Sequence, residues 1–153
     1  MKEISNPWKG YDGYNCFGCC PDNPSGLRMT FSEEGDYIVS RWQPDGTFQG
    51  WINTLHGGIQ ATLIDETAGW VVFKKLCTSG YTTKMEVRYH KTVSTAEGPV
   101  TLKARLVSRK LSMAFIEVKL YDSRDELCTE GTCIYRVYPH DVAVKEFHFI
   151  DPE

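Results

Sequence analysis

The sequence predicts an α+β domain in which an antiparallel sheet of about six strands wraps around one long central helix. The chain has 153 residues, which suits a single domain over residues 1–153. One apolar segment has the length of a helix, and segments of alternating apolar and polar residues lie on both sides of it. An antiparallel sheet with one apolar face needs a cover, and this helix is the one candidate.

The first part of the chain predicts a loop followed by a hairpin. Residues 1–26 are rich in Gly, Pro, Asn and Asp, which is typical of a loop. Residues 27–31 then alternate apolar and polar side chains, and a second short strand covers 37–42. The turn between them has the sequence EEGD.

The central segment predicts a buried helix. From Ile59 to Leu76 the chain has no proline and one glycine, and apolar residues occupy most of the helical circumference. A helix on the protein surface has a single apolar stripe, so this one is expected in the core.

The second half predicts four strands in a meander. The alternating segments lie at 84–90, 101–106, 114–120 and 127–137. One of the intervening turns is expected at 108–110, with Arg109 and Lys110 exposed on it. The tail, 139–153, has little periodicity and is expected on the surface.

Composition excludes several functions. There are 17 basic and 20 acidic residues, a net charge of -3, and no basic excess for binding nucleic acid. Asp65 and Glu66 interrupt the longest apolar stretch, which argues against a membrane span. The start of the chain lacks the apolar region of a secretion signal, so a cytoplasmic location is expected and the six cysteines should be reduced.

Two features of the helix predict chemistry. Gly57 and Gly58 leave backbone N–H groups unshielded at the positive end of the helix dipole, where a carbonyl oxygen would be polarised. Asp65 is a carboxylate in an apolar helix, which costs free energy unless it is paired or functional. Eight residues separate it from Gly57, about 12 Å along the axis. If the two cooperate, they come from different subunits of a two-fold dimer.

The segment LHGGIQATLIDE at 55–66 resembles the helix signature of hotdog-fold thioesterases, in particular the PaaI-like acyl-CoA branch. CFGCCPDNPSGL at 16–27 resembles the opening common in that branch. The resemblance implies a hotdog fold and hydrolysis of an aryl or medium-chain acyl-CoA, without a cofactor. It departs from the family pattern at Cys20, which stands where glycine is usual.

The same resemblance implies roles for individual residues. Gly57 would supply the N–H for the thioester carbonyl with Gly58 beside it, and His56 would shape that end of the site. Asp65 would be the nucleophile or the general base. Thr82 would assist it by hydrogen bonding the attacking water, and Gln49 matches a water-positioning residue of some members.

Each role has an alternative. Asp65 is otherwise a structural carboxylate in a dimer interface, and Glu66 is the neighbour that would carry the chemistry or bind substrate instead. Only one of the two can point into a given site, because adjacent helical residues face about 100° apart. His56 fits a hydrogen-bonded residue at the helix start better than a general base. For Thr82 the alternative is an ordinary strand residue without a catalytic role.

No metal is predicted. A structural zinc site needs four N or S ligands, and the chain has no second CxxC and no HxxxH to complete Cys16 and Cys19. Packing in a loop is the expected role of these cysteines, with a metal shared across a dimer or a redox pair as alternatives.

The sequence thus favours an acyl-CoA thioesterase that acts as a homodimer or tetramer. Arg109 and Lys110 are candidates for contacts with the phosphates of coenzyme A, or are ordinary solvated charges. A non-catalytic acyl-CoA-binding or regulatory hotdog protein is the alternative function. A hotdog hydratase fits less well, because His56 with Asp65 does not match its pattern.

Overall fold

The computed structural model describes residues 1–153 as a seven-stranded antiparallel sheet packed on one long helix. The strands are β1 Lys2–Ile4, β2 Phe31–Glu34, β3 Tyr37–Trp42, β4 Gly80–Tyr89, β5 Val100–Lys110, β6 Met113–Tyr121 and β7 Leu127–Val137; the helices are α1 Gly57–Leu76 and α2 His140–Phe147. The spatial order is β1-β2-β3-β5-β6-β7-β4. The predicted fold class is confirmed, with one strand more than expected.

Helix α1 is the centre of the core. It packs against β3, β4, β5, β6 and β7, and Leu63, Ile64, Ala68 and Val71 are fully buried on it. Apolar burial of this kind is the main stabilising contribution to folding. The helix ends at Cys77, which adopts the left-handed conformation with φ 51°. Neither helix is long and apolar enough to cross a bilayer.

The N-terminal region differs from the prediction. It contains β1, which pairs with β2. The predicted strand at 27–31 begins only at Phe31, because Arg28 has a positive φ of 52° that breaks an extended backbone. Leu27 and Met29 instead donate backbone hydrogen bonds to Phe17 and Gly18, so their alternation reflects packing against the N-terminal loop. The hairpin itself, β2 with β3, is confirmed.

The prediction of a four-strand meander is wrong about which strands are neighbours in the sheet. Only β5, β6 and β7 follow one another in space, while β4 pairs with β7 and forms an edge of the sheet. Strand β3 takes the place beside β5. Alternation identifies a strand and its buried face, but it does not say which strand lies next to it.

The turn predicted at 108–110 is also wrong. Arg109 and Lys110 belong to β5, and the turn falls on Leu111, which has φ 54°. The register between β5 and β6 shifts between Leu106 and Ser108, and this irregularity interrupts the alternation before the strand ends.

The C-terminal tail is more ordered than predicted. It forms α2, and Ala143 and Phe149 are buried. The ring of Phe149 lies 5.8 Å from that of Phe73 on α1 and 6.3 Å from that of Trp8. The two ends of the chain therefore meet over the C-terminal half of α1.

Candidate active site

The start of α1 is capped by its own histidine. The Nδ1 atom of His56 accepts a hydrogen bond of 2.9 Å from the N–H of Gly58. The N–H of Gly57 has no acceptor. His56 is thus the hydrogen-bonded helix-start residue of the sequence analysis, and of the two glycines it is Gly57 that presents a free donor.

Tyr89 on β4 fixes this end of the helix, and the sequence analysis did not identify it. Its hydroxyl donates a hydrogen bond of 2.7 Å to the carbonyl oxygen of Gly57. A Cβ atom on Gly57 would lie 3.6 Å from the Tyr89 ring, an ordinary contact. The packing around this position therefore does not require a glycine.

Asp65 is held by two hydroxyl groups. Thr82 on β4 and Tyr135 on β7 each donate a hydrogen bond of 2.6 Å to the same atom, Oδ1, and the Tyr135 hydroxyl also lies 2.7 Å from the backbone carbonyl oxygen of Asp65. The other carboxylate oxygen, Oδ2, has no partner within the chain. A carboxylate oriented through one oxygen, with the other free, has the form of a nucleophile or a general base.

The register of the sheet explains why the two hydroxyls converge. Thr82 and Tyr135 are direct partners across β4 and β7, so their side chains emerge side by side on the helix-facing surface. The β4–β7 register shifts between Thr82 and Lys84, which lets Thr82 and Met85 both face inward although they are three positions apart in the sequence. Burial, followed by the charge of Asp65, raises the pKa of Tyr135, which keeps it a hydrogen-bond donor.

Glu66 faces a different space from Asp65. It lines a cavity of about 560 Å³ between α1 and the two ends of the chain. The cavity wall is mainly apolar and includes Trp8, Trp70, Phe73 and Phe149. The Glu66 Oε1 atom accepts a hydrogen bond of 3.4 Å from Trp70 Nε1, and burial raises the pKa of Glu66 to about 7.

Two cysteines share this wall with Glu66. Cys16 Sγ lies 3.5 Å from Glu66 Oε1, and Cys19 is buried beside it. The hydrogen bond between the thiols lowers the pKa of Cys16 and, with burial, raises that of Cys19. All six cysteines are free thiols.

The remaining predicted site residues stay apart from Asp65 within one chain. Gln49 is exposed, and its Oε1 accepts a hydrogen bond of 3.3 Å from the N–H of Asn53. Arg109 and Lys110 are exposed at the end of β5. Gly57 lies about 12 Å from Asp65 along α1 by helical rise. The chain thus brings together Asp65 and Thr82 of the predicted catalytic set, and His56 with Gly57 and Gly58.

Known proteins share sequence and fold with this chain. The family model described as the thioesterase superfamily matches residues 52–129, half of the chain, which includes α1, β4 and β5. The chain therefore belongs to the thioesterase superfamily. A putative esterase from Sulfurisphaera tokodaii is 30% identical over 83 residues, which make up 54% of this chain and 61% of that protein.

Solved structures show the same fold at low identity. A thioesterase superfamily protein of known crystal structure aligns with a TM-score of 0.72 and 20% identity over 79% of this chain and 62% of its own. A hypothetical thioesterase from Streptococcus pneumoniae, crystallised with coenzyme A, aligns with a TM-score of 0.66 and 20% identity over 72% of this chain and 85% of its own. The sheet on its single long helix is a hotdog fold. The chain spans 61% of the Sulfurisphaera tokodaii esterase and 62% of the first of these two structures, which is less than two thirds of each.

Proposed function

We propose that this protein hydrolyses acyl-CoA thioesters at a site shared by two copies of the chain, and that it belongs to the PaaI-like branch. The observation that carries the proposal is the Asp65 carboxylate, whose Oδ1 is fixed by Thr82 and Tyr135 while its Oδ2 is free. Superfamily membership and the coenzyme A bound by the pneumococcal neighbour support it.

The site needs a second chain because Asp65 and Gly57 lie on one helix about 12 Å apart. Strand β4 is the ten-residue edge of the sheet, and an open edge of that length is suited to pairing with another chain. Trp51 and Ile52, just before α1, are each 84% exposed, as expected of residues that a partner covers. In a two-fold dimer with antiparallel helices, Asp65 of one copy would lie beside Gly57 of the other.

The proposed reaction uses the two groups in sequence. The N–H of Gly57 would bind the thioester oxygen and stabilise the negative charge that develops on it. Asp65 Oδ2 would attack the carbonyl carbon or take a proton from the attacking water. The C–S bond then breaks, one proton of the water goes to the leaving sulfur to give the thiol of coenzyme A, and the remaining OH of the water completes the carboxylic acid.

The substrate is proposed to be an aryl or medium-chain acyl-CoA, with the acyl group between the two α1 helices. Arg109 and Lys110 are exposed cations at the end of β5, which suits contacts with the phosphates of coenzyme A.

The first experiment measures free thiol release from a panel of aliphatic and aryl acyl-CoAs. Asp65→Asn keeps the shape of the side chain and an oxygen for Thr82 and Tyr135, but it removes the charge. It should lower kcat by about 10²- to 10⁴-fold, the usual contribution of such a group. Asp36→Asn, in an exposed turn, is the matched control. Binding without turnover by the wild type would favour the non-catalytic alternative, and hydration of an enoyl-CoA would favour a hydratase.

Gly57→Pro tests the backbone donor directly. Proline removes the N–H, which has no acceptor to lose, and it is well tolerated at the first position of a helix. His56 has φ -59° and ψ 134°, a conformation that suits the residue before proline. The variant should fold normally and lose about 10²- to 10³-fold in kcat.

Mixing the two variants tests the shared site. A dimer of one Asp65→Asn chain and one Gly57→Pro chain has one site with both groups intact and one with neither. Unfolding and refolding the mixture should therefore restore activity that both parents lack. If the mixture stays inactive while heterodimers form, Asp65 and Gly57 do not act across subunits.

A further inference from the structure

The loop between Cys16 and Cys19 is built around the carboxylate of Glu66. A Cβ atom on Gly18 would overlap the Glu66 carboxyl group, so with any other residue here either the loop or the Glu66 side chain would have to move. The backbone of the loop is fixed from behind, because Phe17 and Gly18 accept hydrogen bonds of 2.8 and 2.9 Å from Leu27 and Met29. In the sequence CFGC, the two cysteines thus flank Gly18, the residue at which the loop lies against Glu66 on α1.

The three side chains have the spacing of metal ligands. The two sulfur atoms and the Glu66 oxygen all lie within 4.8 Å of one another, and Cys16 Sγ is 3.5 Å from Glu66 Oε1. A tetrahedral zinc ion with Zn–S near 2.3 Å and Zn–O near 2.1 Å sets its sulfur and oxygen ligands about 3.6 Å apart. A small closing movement of the Cys19 side chain would complete such a geometry.

Further hydrogen bonds orient these ligand atoms. Asn6 donates a hydrogen bond of 3.0 Å to the Tyr14 oxygen, and the Tyr14 hydroxyl lies 2.9 Å from Cys19 Sγ, where it can donate to a Cys19 thiolate. Trp70 donates to Glu66 Oε1. Donors aimed at sulfur and carboxylate oxygen are the supporting contacts that metal ligands usually receive.

Glu66 also lacks a cation. It forms no salt bridge with any Lys, Arg or His of the chain, and its only side-chain partners are thiols and an indole N–H. A carboxylate turned into an apolar cavity is costly unless it is paired or coordinates a metal.

We propose that Cys16, Cys19 and Glu66 form a zinc-binding site whose fourth coordination position faces the cavity. Binding displaces the thiol protons to solvent, so two thiolates, one carboxylate and Zn²⁺ carry a net charge of −1, which Tyr14 and Trp70 offset by hydrogen bonding. Three protein ligands leave the fourth position for water or for a coordinating atom of a molecule in the cavity. The site is separate from Asp65, whose carboxylate is held by other residues.

No metal was predicted from the sequence, because Cys16 and Cys19 supply only two of the four ligands of a structural zinc site and a metal shared across a dimer was the alternative. The third ligand lies 47 residues beyond Cys19 on α1, and no spacing rule connects the two. Among the metal ions, two thiolates and a carboxylate in tetrahedral arrangement favour zinc over calcium or magnesium, which prefer oxygen ligands only.

Cobalt is the spectroscopic probe for this site. The reduced full-length protein, freed of metal with a chelator, is titrated with Co²⁺ alone. We expect one Co²⁺ per chain, a sulfur-to-cobalt charge-transfer band, the intense visible absorption of tetrahedral coordination, and loss of both on addition of Zn²⁺. Absence of the thiolate band in the folded wild type would overturn the proposal.

Variants locate the ion. Cys16→Ser and Glu66→Gln should each weaken binding by about 100-fold or more. Cys20→Ser is the matched control, because Cys20 is buried in the same loop but its Sγ points to the Tyr14 carbonyl at 3.7 Å. The affinity of Cys20→Ser for Co²⁺ should stay within a factor of two or three of the wild type, because this substitution changes only the packing of the loop. Equal losses in Cys20→Ser and Cys16→Ser would show adventitious thiol binding instead. Circular dichroism of each variant separates lost metal from lost fold, and Glu66→Gln tests the site if a cysteine variant does not fold.

Discussion

The two hydroxyl groups on Asp65 make a prediction that can be worked out in free energy. Tyr135→Phe removes one donor, and Thr82→Val removes the other with little change in shape. A hydrogen bond to a charged group contributes about 1.5–3 kcal/mol to stability. Tyr135 is only 5% exposed, so water does not readily replace its hydroxyl. Each single variant should therefore lower the free energy of unfolding by about that amount.

The double variant should lose more than the sum of the two. Because both donors bind the same oxygen, the first removal leaves Oδ1 with one partner, whereas the second leaves a partly buried carboxylate oxygen with none. Contacting residues in one network show coupling free energies of about 0.5–3 kcal/mol. The value of kcat should fall in the same order, because an Asp65 carboxylate without its hydrogen bonds spends less time in a productive position.

The measurement is urea unfolding followed by tryptophan fluorescence, at matched protein concentration because a dimer makes stability depend on concentration. Ser40→Ala, on β3, is a control that removes a buried hydroxyl bonded to the carbonyl of Thr30 and away from Asp65. Strict additivity of Thr82→Val and Tyr135→Phe would refute the common acceptor. A Tyr135→Phe variant within about 0.5 kcal/mol of the wild type would refute the hydrogen bond itself.

Three further predictions concern other parts of the fold. His56→Ala removes the cap of α1 and should cost about 0.5–2 kcal/mol in urea unfolding; an unchanged stability would contradict the cap. Gly18→Ala should push the loop off Glu66 and weaken Co²⁺ binding, since its Cβ would overlap the carboxylate; unchanged affinity would contradict the close approach. Lys75 lowers the pKa of Glu33, so Lys75→Met should cost up to about 1 kcal/mol more at pH 7 than below the lowered pKa, where Glu33 is protonated and only the hydrogen bond from Lys75 to the Gly35 carbonyl is lost. Unfolding at pH 7 and pH 3 measures it, and an equal cost at both would contradict it.

Much of the fold was predictable because it depends on local patterns. The apolar circumference of α1 and the alternation in β5, β6 and β7 are properties of contiguous residues. The placement of β4 beside β7 was not predictable, since alternation gives a strand its buried face but not its neighbour. The helix α2 was missed because it has only eight residues and one buried side chain, Ala143, which is too little to form a recognisable apolar stripe.

The site divides in the same way. His56, Gly57 and Asp65 were found because glycines at a helix start and a lone acid in an apolar helix are visible in the sequence. Tyr135 was missed, because it reads as one more inward residue of β7 until the β4–β7 register sets it opposite Thr82. Its only signal was a hydroxyl on the buried face of a strand, which is too common to indicate a site.

The adjacent acids of α1 show how one helix serves two purposes. Successive helical residues face about 100° apart, so Asp65 and Glu66 cannot share surroundings. Asp65 meets the sheet, where Thr82 and Tyr135 supply hydroxyl donors. Glu66 meets the N-terminal loop, where Cys16 and Cys19 supply thiols. From the sequence, Asp65 and Glu66 were alternatives for one catalytic role. In the structure their hydrogen-bond partners come from different elements, β4 and β7 for Asp65 and the N-terminal loop for Glu66. A variant that abolishes metal binding at Glu66 and one that abolishes hydrolysis at Asp65 should therefore affect separate measurements.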